Sequence, residues 1–350
     1  MAGKRPTVAE IKAARLRQPK MRQRDLAEML SISEGEFLSA WCEEHVLRLD
    51  LPFNQFFGML ESVGEVMALT RNHSAVHEKV GTYSGFYSGK HASMFLGEKI
   101  DLRLFPSHFV HAFEVATQTD RGLRRSIQFF DSHGDAVHKI HATDKTDLHA
   151  WINLVRSIQN DDQSPGMDCA PKQLTILKEP ASETVEELKE SWAAMSDPHQ
   201  FMPLIRKLDM TRHQAVQLVG HEFAWQIDCS GVDALMRHAA NEQIPIMCFV
   251  GNPGCIQIHS GPIENIKVIG NWFNIMDEGF NLHLRKDHIV EAWAVRKPCD
   301  KGHVTSVEAY DSGGNLILQL FGQRHEGSEE RDDWRFIAEN LPRVGKAHAA

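Results

Sequence analysis

The sequence predicts an α+β fold built from two repeated halves, each with helices first, then a large antiparallel β-sheet, then a closing helix. Three observations predict it. Residues 101–141 lie on residues 281–321 with a constant offset of 180 and no gap, and twelve positions are identical, among them Leu102, His108, Val110, Asp120, Gly122, Ser126, Asp131 and Gly134. That period is too long for a solenoid unit and marks a duplicated domain. Within each half the helical signals come before the strand signals, and such segregation means α+β instead of alternating α/β. Finally, Asp131-Ser-His-Gly134 and Asp311-Ser-Gly-Gly314 separate consecutive β-rich runs, as turns between antiparallel neighbours do.

The expected halves are 1–159 and 184–345, joined by a linker at 160–183 that is rich in Pro, Asp, Ser and Gly. Thr7-x-x-Glu10 and Thr184-x-x-Glu187 read as capping boxes, in which hydroxyl and carboxylate satisfy the free amides of a helix start. Met21–Trp41 superficially reads as a helix-turn-helix, but its second helix carries Glu34, Glu36, Glu43 and Glu44. Those charges would meet a phosphate backbone with the wrong sign, so a scaffold hairpin, repeated near Arg212, is expected. Phe109–Val115, Ser126–Phe130, Ile289–Val295 and Thr305–Tyr310 are strand candidates. Gly251-Asn-Pro-Gly-Cys255, between two apolar runs, reads as a tight hairpin turn, since it matches no phosphate-loop pattern. Asp147–Ile158 and Glu329–Asn340 have the spacing of amphipathic closing helices.

Composition narrows the function. The 350 residues carry 38 basic and 47 acidic side chains, a formal net charge of −9, which argues against a nucleic-acid partner. The longest apolar run, Ile244–Val250, is far short of the ~20 residues that span a bilayer, so the chain is not expected to be membrane-embedded. The N-terminal MAGKRPTVAE has no apolar stretch behind it, and a cytoplasmic protein is expected. Six scattered cysteines have no CxxC spacing, which removes support for zinc ribbons, thioredoxin-like chemistry and a disulfide framework. Neither GxSxG nor HExxH occurs, so hydrolase chemistry has no motif behind it.

Twenty histidines are present, and imidazole is the commonest protein ligand for a metal. His199 is the most informative of them. In Ser196-Asp-Pro-His-Gln-Phe201, Ser196 or Asp197 can cap and Pro198 suits the first helical position, which puts His199 in the first turn. The positive end of the helix dipole favours a neutral ring there. Local sequence alone leaves it open whether His199 is a metal ligand or an ordinary polar histidine. The repeat adds a second hint, because aligned positions that differ in chemistry include Arg103/His283, Phe105/Arg285, Thr117/Lys297 and Lys139/Gln319. One asymmetric ligand between two similar halves would leave such a pattern, as would ordinary drift.

The strings LGEKIDLRLF, GLRRSIQFFDSHGDAVHKIH, PIMCFVGNPGCIQIHSGPIE, WFNIMDEGFNLHLR and VRKP closely resemble the bacterial cytoplasmic haem-handling proteins of the HmuS/HemS/ChuS type, the hemin-degrading factor family. The resemblance runs from about Thr7 to Arg343. It implies one haem b held in a cleft between helices and sheet. It also implies His199 as the axial ligand in a D-x-H-x-F context, with Arg103 and Phe105 on the distal side. Arg212, Lys297, Gln319 and Arg324 match further family positions, the cations among them suited to the propionates through charge-assisted bonds. Some relatives have neighbouring histidines that exchange as ligand; here the next is His213. The resemblance implies haem binding and trafficking, with an inner-membrane haem ABC transporter and a downstream haem oxygenase as partners. The alternative it implies is a haem-degrading enzyme that opens the ring with O2 or peroxide and a reductant.

Overall fold

The computed structural model describes residues 5–120, 122–172, 178–324 and 328–345. The chain divides into two units of similar construction. Unit 1 is Met1–Arg71, Glu78–Leu174 and Gly251–Gln257; unit 2 is Asn72–His77, Thr175–Val250 and Ile258–Ala350. Each unit thus includes a short segment from the other half of the sequence. Residues 173–177 of the expected linker lie outside the described residues.

Unit 1 begins with α1 (Val8–Arg17), α2 (Gln23–Met29) and α3 (Glu34–Ser39). Thr7 caps α1 as its sequence indicates, with its hydroxyl accepting from Glu10 N at 3.3 Å while Glu10 Oε2 accepts from Thr7 N at 2.7 Å. Then come β1 (Val46–Leu49), α4 (Phe53–Met59), β2 (Gly64–Arg71), β3 (Ala75–Thr82), β4 (Phe86–Tyr87), β5 (Ser93–Leu96), β6 (Asp101–Leu104), β7 (His111–Thr119), β8 (Gly122–Phe130), β9 (Ala136–Thr146) and α5 (Leu148–Ser157). Strands β1, β7, β8, β9 and β2 are neighbours in that order, all antiparallel, and β4, β5 and β6 form a meander. Asp147 caps α5 through His149 N and Ala150 N at 2.9 and 3.0 Å, and the helix turns Trp151, Leu154 and Val155 onto the sheet.

Unit 2 repeats the plan. Its helices are α6 (Ser182–Ala193), α7 (Phe201–Lys207) and α8 (Arg212–Leu218). They are followed by β10 (Ala224–Ile227), α9 (Ser230–Asn241), β11 (Ile246–Asn252), β12 (Cys255–Gly261), β13 (Ile266–Ile269), β14 (Trp272–Asp277), β15 (Phe280–Arg285), β16 (Glu291–Cys299), β17 (Gly302–Tyr310), β18 (Leu316–Gly322) and α10 (Asp332–Glu339). The ladder order is β10, β16, β17, β18, β11, with β13, β14 and β15 as the meander. Register repeats with the sequence: Val115 faces Ser126, and Val295 faces Ser306. Both ladders shift register at the same place, between Phe129 and Phe130 and between Ala309 and Tyr310. The fold is therefore α+β with two repeated halves.

The paired turns need their glycines. Gly134 and Gly314 sit at φ +78° and +71°, in the left-handed region that side chains avoid. Asp131 and Asp311 brace those turns by accepting from the amides two and four residues on, at 2.8–3.0 Å. One expected cap differs. Thr184 does not start α6, which begins at Ser182 behind Ala181 and has no side-chain cap. Thr184 and Glu187 have helix-cap spacing, but the chain turns helical as soon as it leaves Pro180, so Thr184 is already inside. Among the described residues no helix is long and apolar enough to cross a membrane.

Candidate functional site

Asp197 begins a short 3-10 turn, Pro198–Gln200, that runs into α7. Its Oδ1 accepts from His199 N at 2.8 Å and from the His199 ring at Nδ1 at 2.7 Å. A carboxylate can only accept there, so Nδ1 carries a proton, and the tautomer this selects has its lone pair on Nε2. The His199 side chain is 76% exposed, which leaves that nitrogen open to an incoming group. Hydrogen bonds from the His199 backbone and ring hold the Asp197 carboxyl below its ordinary range, against slight desolvation, and the charge of Arg324 adds to the effect. Gln200 closes the turn by accepting from Ser196 N at 3.0 Å.

Beneath this turn Phe201 is buried, edge-on to Trp192 at 5.1 Å between ring centres. The Arg212 guanidinium lies 4.7 Å from the Phe201 ring centre and the Lys297 ammonium 5.0 Å. Both cations serve one carboxylate, Glu308, which has no exposed surface. Glu308 accepts from Lys297 Nζ at 2.8 Å and Arg212 Nη1 at 3.2 and 3.3 Å. It also accepts from Tyr310 OH at 2.6 Å, Ser306 Oγ at 3.0 Å and Gln319 Nε2 at 2.8 Å. Burial pushes the Glu308 carboxyl up, but Lys297 and Arg212 outweigh that and hold it well below the carboxylate range. Burial pulls the Lys297 ammonium down and pushes the Tyr310 phenol up. Two cations thus share one buried anion, and the Arg212 side chain, 21% exposed, is the edge of this cluster that reaches the surface.

The structure brings His199, Arg212, Lys297, Gln319 and Arg324 together in unit 2, but in different roles. Lys297 and Gln319 are 4% and 9% exposed, and both donate to Glu308. Arg103 and Phe105 belong to unit 1. Arg103, on β6, ion-pairs with Asp101 and donates to the Leu102 carbonyl at 3.2 Å. Phe105 follows that strand, anchored by its amide to the Gly254 carbonyl at 2.9 Å. His213 is locked elsewhere, with Nε2 2.9 Å from Glu291 Oε2 and its ring against Tyr310. Sequence reasoning missed Glu308, Tyr310 and Ser306. The available signal was a carboxylate in SVEAY, on the same strand face as Ser306 and Tyr310 by two-residue alternation. It also missed Asp197 as the partner of the ring, having read it only as a cap.

Among the described residues no group of three or more His, Cys, Asp or Glu side chains could cage a bare metal ion. The arrangement offers instead one imidazole nitrogen and a nearby positive edge, the donor set for a metal held mainly by another ligand.

The haemin-degrading HemS.ChuX domain family matches residues 31–158 and 209–341. Hemin transport protein HemS of Yersinia enterocolitica is 40% identical over 313 residues, which cover 89% of this chain and 90% of HemS. The structure of holo-PhuS, a heme-binding protein from Pseudomonas aeruginosa, superposes with a TM-score of 0.92 at 38% identity, covering 97% of this chain and 100% of PhuS. That of ChuS, an E. coli heme oxygenase, gives 0.85 at 38% identity, covering 93% and 98%. The double domain match and these full-length likenesses establish that the chain belongs to the haemin-degrading HemS.ChuX family.

Proposed function

We propose that the protein binds one haem b through Nε2 of His199 and serves as a cytoplasmic carrier in bacterial haem uptake and iron acquisition. The observation that carries this reading is the exposed imidazole whose tautomer Asp197 fixes, set beside a cluster with one more cation than anion. Haem supplies an iron that takes a neutral nitrogen and two propionates that take cations. Asp197 orients the ring, as carboxylate partners of metal-bound histidines do. Arg212 and Arg324 meet a propionate, while Lys297 and Gln319 act from behind by holding Glu308. The carrier receives haem from an inner-membrane ABC transporter and passes it to a haem oxygenase. The test is hemin titration of wild type and His199→Ala: the variant is expected to lose the ligation signature in the Soret band, and an identical band and affinity would overturn the assignment.

A second reading is supported by the kinship with ChuS, which is named a heme oxygenase. On that reading the protein itself opens the porphyrin with O2 and a reductant. Loaded protein under a physiological reductant, with catalase to remove free peroxide, separates the two. A persistent Soret band favours the carrier, and bleaching with release of a tetrapyrrole favours the enzyme.

A further inference from the structure

The corner between α1 and α2 differs in charge from the rest of the chain. Residues 4–24 hold eight of the 38 basic side chains and one of the 47 acidic ones, which leaves a formal charge of −16 for everything else. Several of these cations are engaged in the fold. Arg5 pairs with Glu36 at 3.2 Å and Lys12 with Glu44 at 2.5 Å. Arg15 lies 5.1 Å over the Phe37 ring and donates to the Gln18 and Met21 carbonyls at 3.3 and 2.6 Å. Those two bonds bridge Pro19, which cannot continue α1, and they hold the corner in shape.

Three cations at the corner are not engaged. Arg17, Lys20 and Arg22 are exposed and have no hydrogen-bond or ion-pair partner among the described residues. The acids of α2, Asp25 and Glu28, lie within electrostatic reach of Arg24 and offset part of the local charge. Leu16 stands among the three cations and is 80% exposed, more than any other large apolar side chain described. It adds nothing to the buried side of α1, which is Ile11 and Ala14. The sister half provides an internal control. On α6 and α7, Lys189 pairs with Glu186 at 2.9 Å and Lys207 with Glu187 at 2.6 Å. Residues 194–200, which follow α6, include an aspartate and no lysine or arginine. The shared plan of the two halves therefore does not call for a basic corner.

Charge and the exposed leucine together select the partner. Anionic lipid attracts basic segments, and an apolar side chain set among the cations enters the boundary between headgroups and acyl chains. A nucleic-acid backbone would take the cations but give Leu16 nothing to pack on. The negative charge carried elsewhere keeps other faces away from an anionic membrane, so one orientation is favoured. One basic cluster with one apolar side chain gives reversible attachment, short of anchoring.

We propose that residues 16–22 dock the protein reversibly on an anionic phospholipid surface, with Arg17, Lys20 and Arg22 at the headgroups and Leu16 inserted between them. None of the residues assigned to haem takes part, so the proposal stands apart from the haem reading, and His199→Ala should bind lipid as wild type does. Co-sedimentation of the full-length, haem-free protein with vesicles tests it, comparing mixed phosphatidylglycerol–phosphatidylcholine vesicles with phosphatidylcholine alone. Binding is expected to the mixed vesicles only, and it should vanish in about 1 M salt, where the screening length falls to about 3 Å. Each cation near such a surface is worth about fivefold, so the triple variant Arg17→Gln, Lys20→Gln, Arg22→Gln should bind about 100-fold more weakly. Leu16→Ser should weaken binding about tenfold and keep its salt dependence. The double variant Lys189→Gln, Lys207→Gln, the same kind of change on the sister helices, should bind as wild type does. No binding to the mixed vesicles, equal binding to phosphatidylcholine, or a triple variant that binds no more weakly than the sister-helix variant overturns the proposal.

Discussion

Glu308→Gln isolates the physics of the buried cluster. The substitution keeps the side-chain shape but removes the one negative charge from a site where Glu308 is 0% exposed and Lys297 5%. Lys297 and Arg212 then face each other with no anion between them, and the new amide replaces one of the two oxygens that accept from Arg212 with a donor. Removing one partner of a buried ion pair costs about 3–5 kcal/mol because the other charge is left uncompensated. For a unit of this size that corresponds to a fall in Tm on the order of 10 °C. Burial already pulls the Lys297 ammonium down, so without Glu308 it will shed its proton more readily still. The loss is therefore expected to be largest near neutral pH and to shrink as pH rises and Lys297 becomes neutral. Urea denaturation followed by circular dichroism at pH 7 and pH 9.5, with Lys297→Met and the double variant, gives the coupling energy directly. Glu308→Gln costing less than about 1 kcal/mol at pH 7, or additive single variants, would refute the argument that the cluster is one electrostatic unit.

Three further outcomes are expected. Asp197→Asn keeps a capping oxygen but no longer enforces one ring tautomer, so haem affinity should fall about 10–100-fold in a Soret titration with the fold intact; an unchanged affinity counts against the ring–carboxylate contact. Gly314→Ala places a Cβ 2.6 Å from His213 Nδ1 at a φ of +71°, and thermal melts should show a loss of at least ~1–2 kcal/mol. Buried His138, held by Tyr83 OH at 2.5 Å and Thr70 Oγ1 at 2.8 Å, is pulled by desolvation from 6.5 to about 3. The unfolded chain then binds the extra proton between those values, so stability is full above about pH 6.5 and declines as pH falls toward 3, by a total of roughly 3–5 kcal/mol. A melting temperature that stays flat from pH 6.5 to 4 would contradict a neutral, buried His138.

The repeat determined most of the fold from sequence alone. An offset of 180 across residues 101–141 and 281–321 showed that the two halves share one plan, and the turns marked antiparallel neighbours; strand order and register, where a one-residue slip would turn every inward side chain outward, came from the structure. The Asp-Ser-x-Gly turns were equally readable, since few residues tolerate their backbone. His199 could be placed because capping is local: Asp197, Pro198 and the ring lie within three residues. The Thr184 motif shows the limit of the same reasoning, for a correct spacing does not say where a helix begins when the residues before it are also free to turn.

The two halves each bury a carboxylate among cations, yet from different elements. Glu34 comes from α3 and meets Arg71 and Lys139, whereas Glu308 comes from β17 and meets Arg212 and Lys297. At the offset of 180 the sequence sets Gln128 against Glu308 and Lys139 against Gln319, so no residue-by-residue comparison reveals that both clusters exist. Composition, periodicity and local caps act over a few residues and are written in the chain. Which charges share one buried partner depends on side chains 11 to 105 residues apart converging on the same low-dielectric spot, and only the tertiary structure decides that.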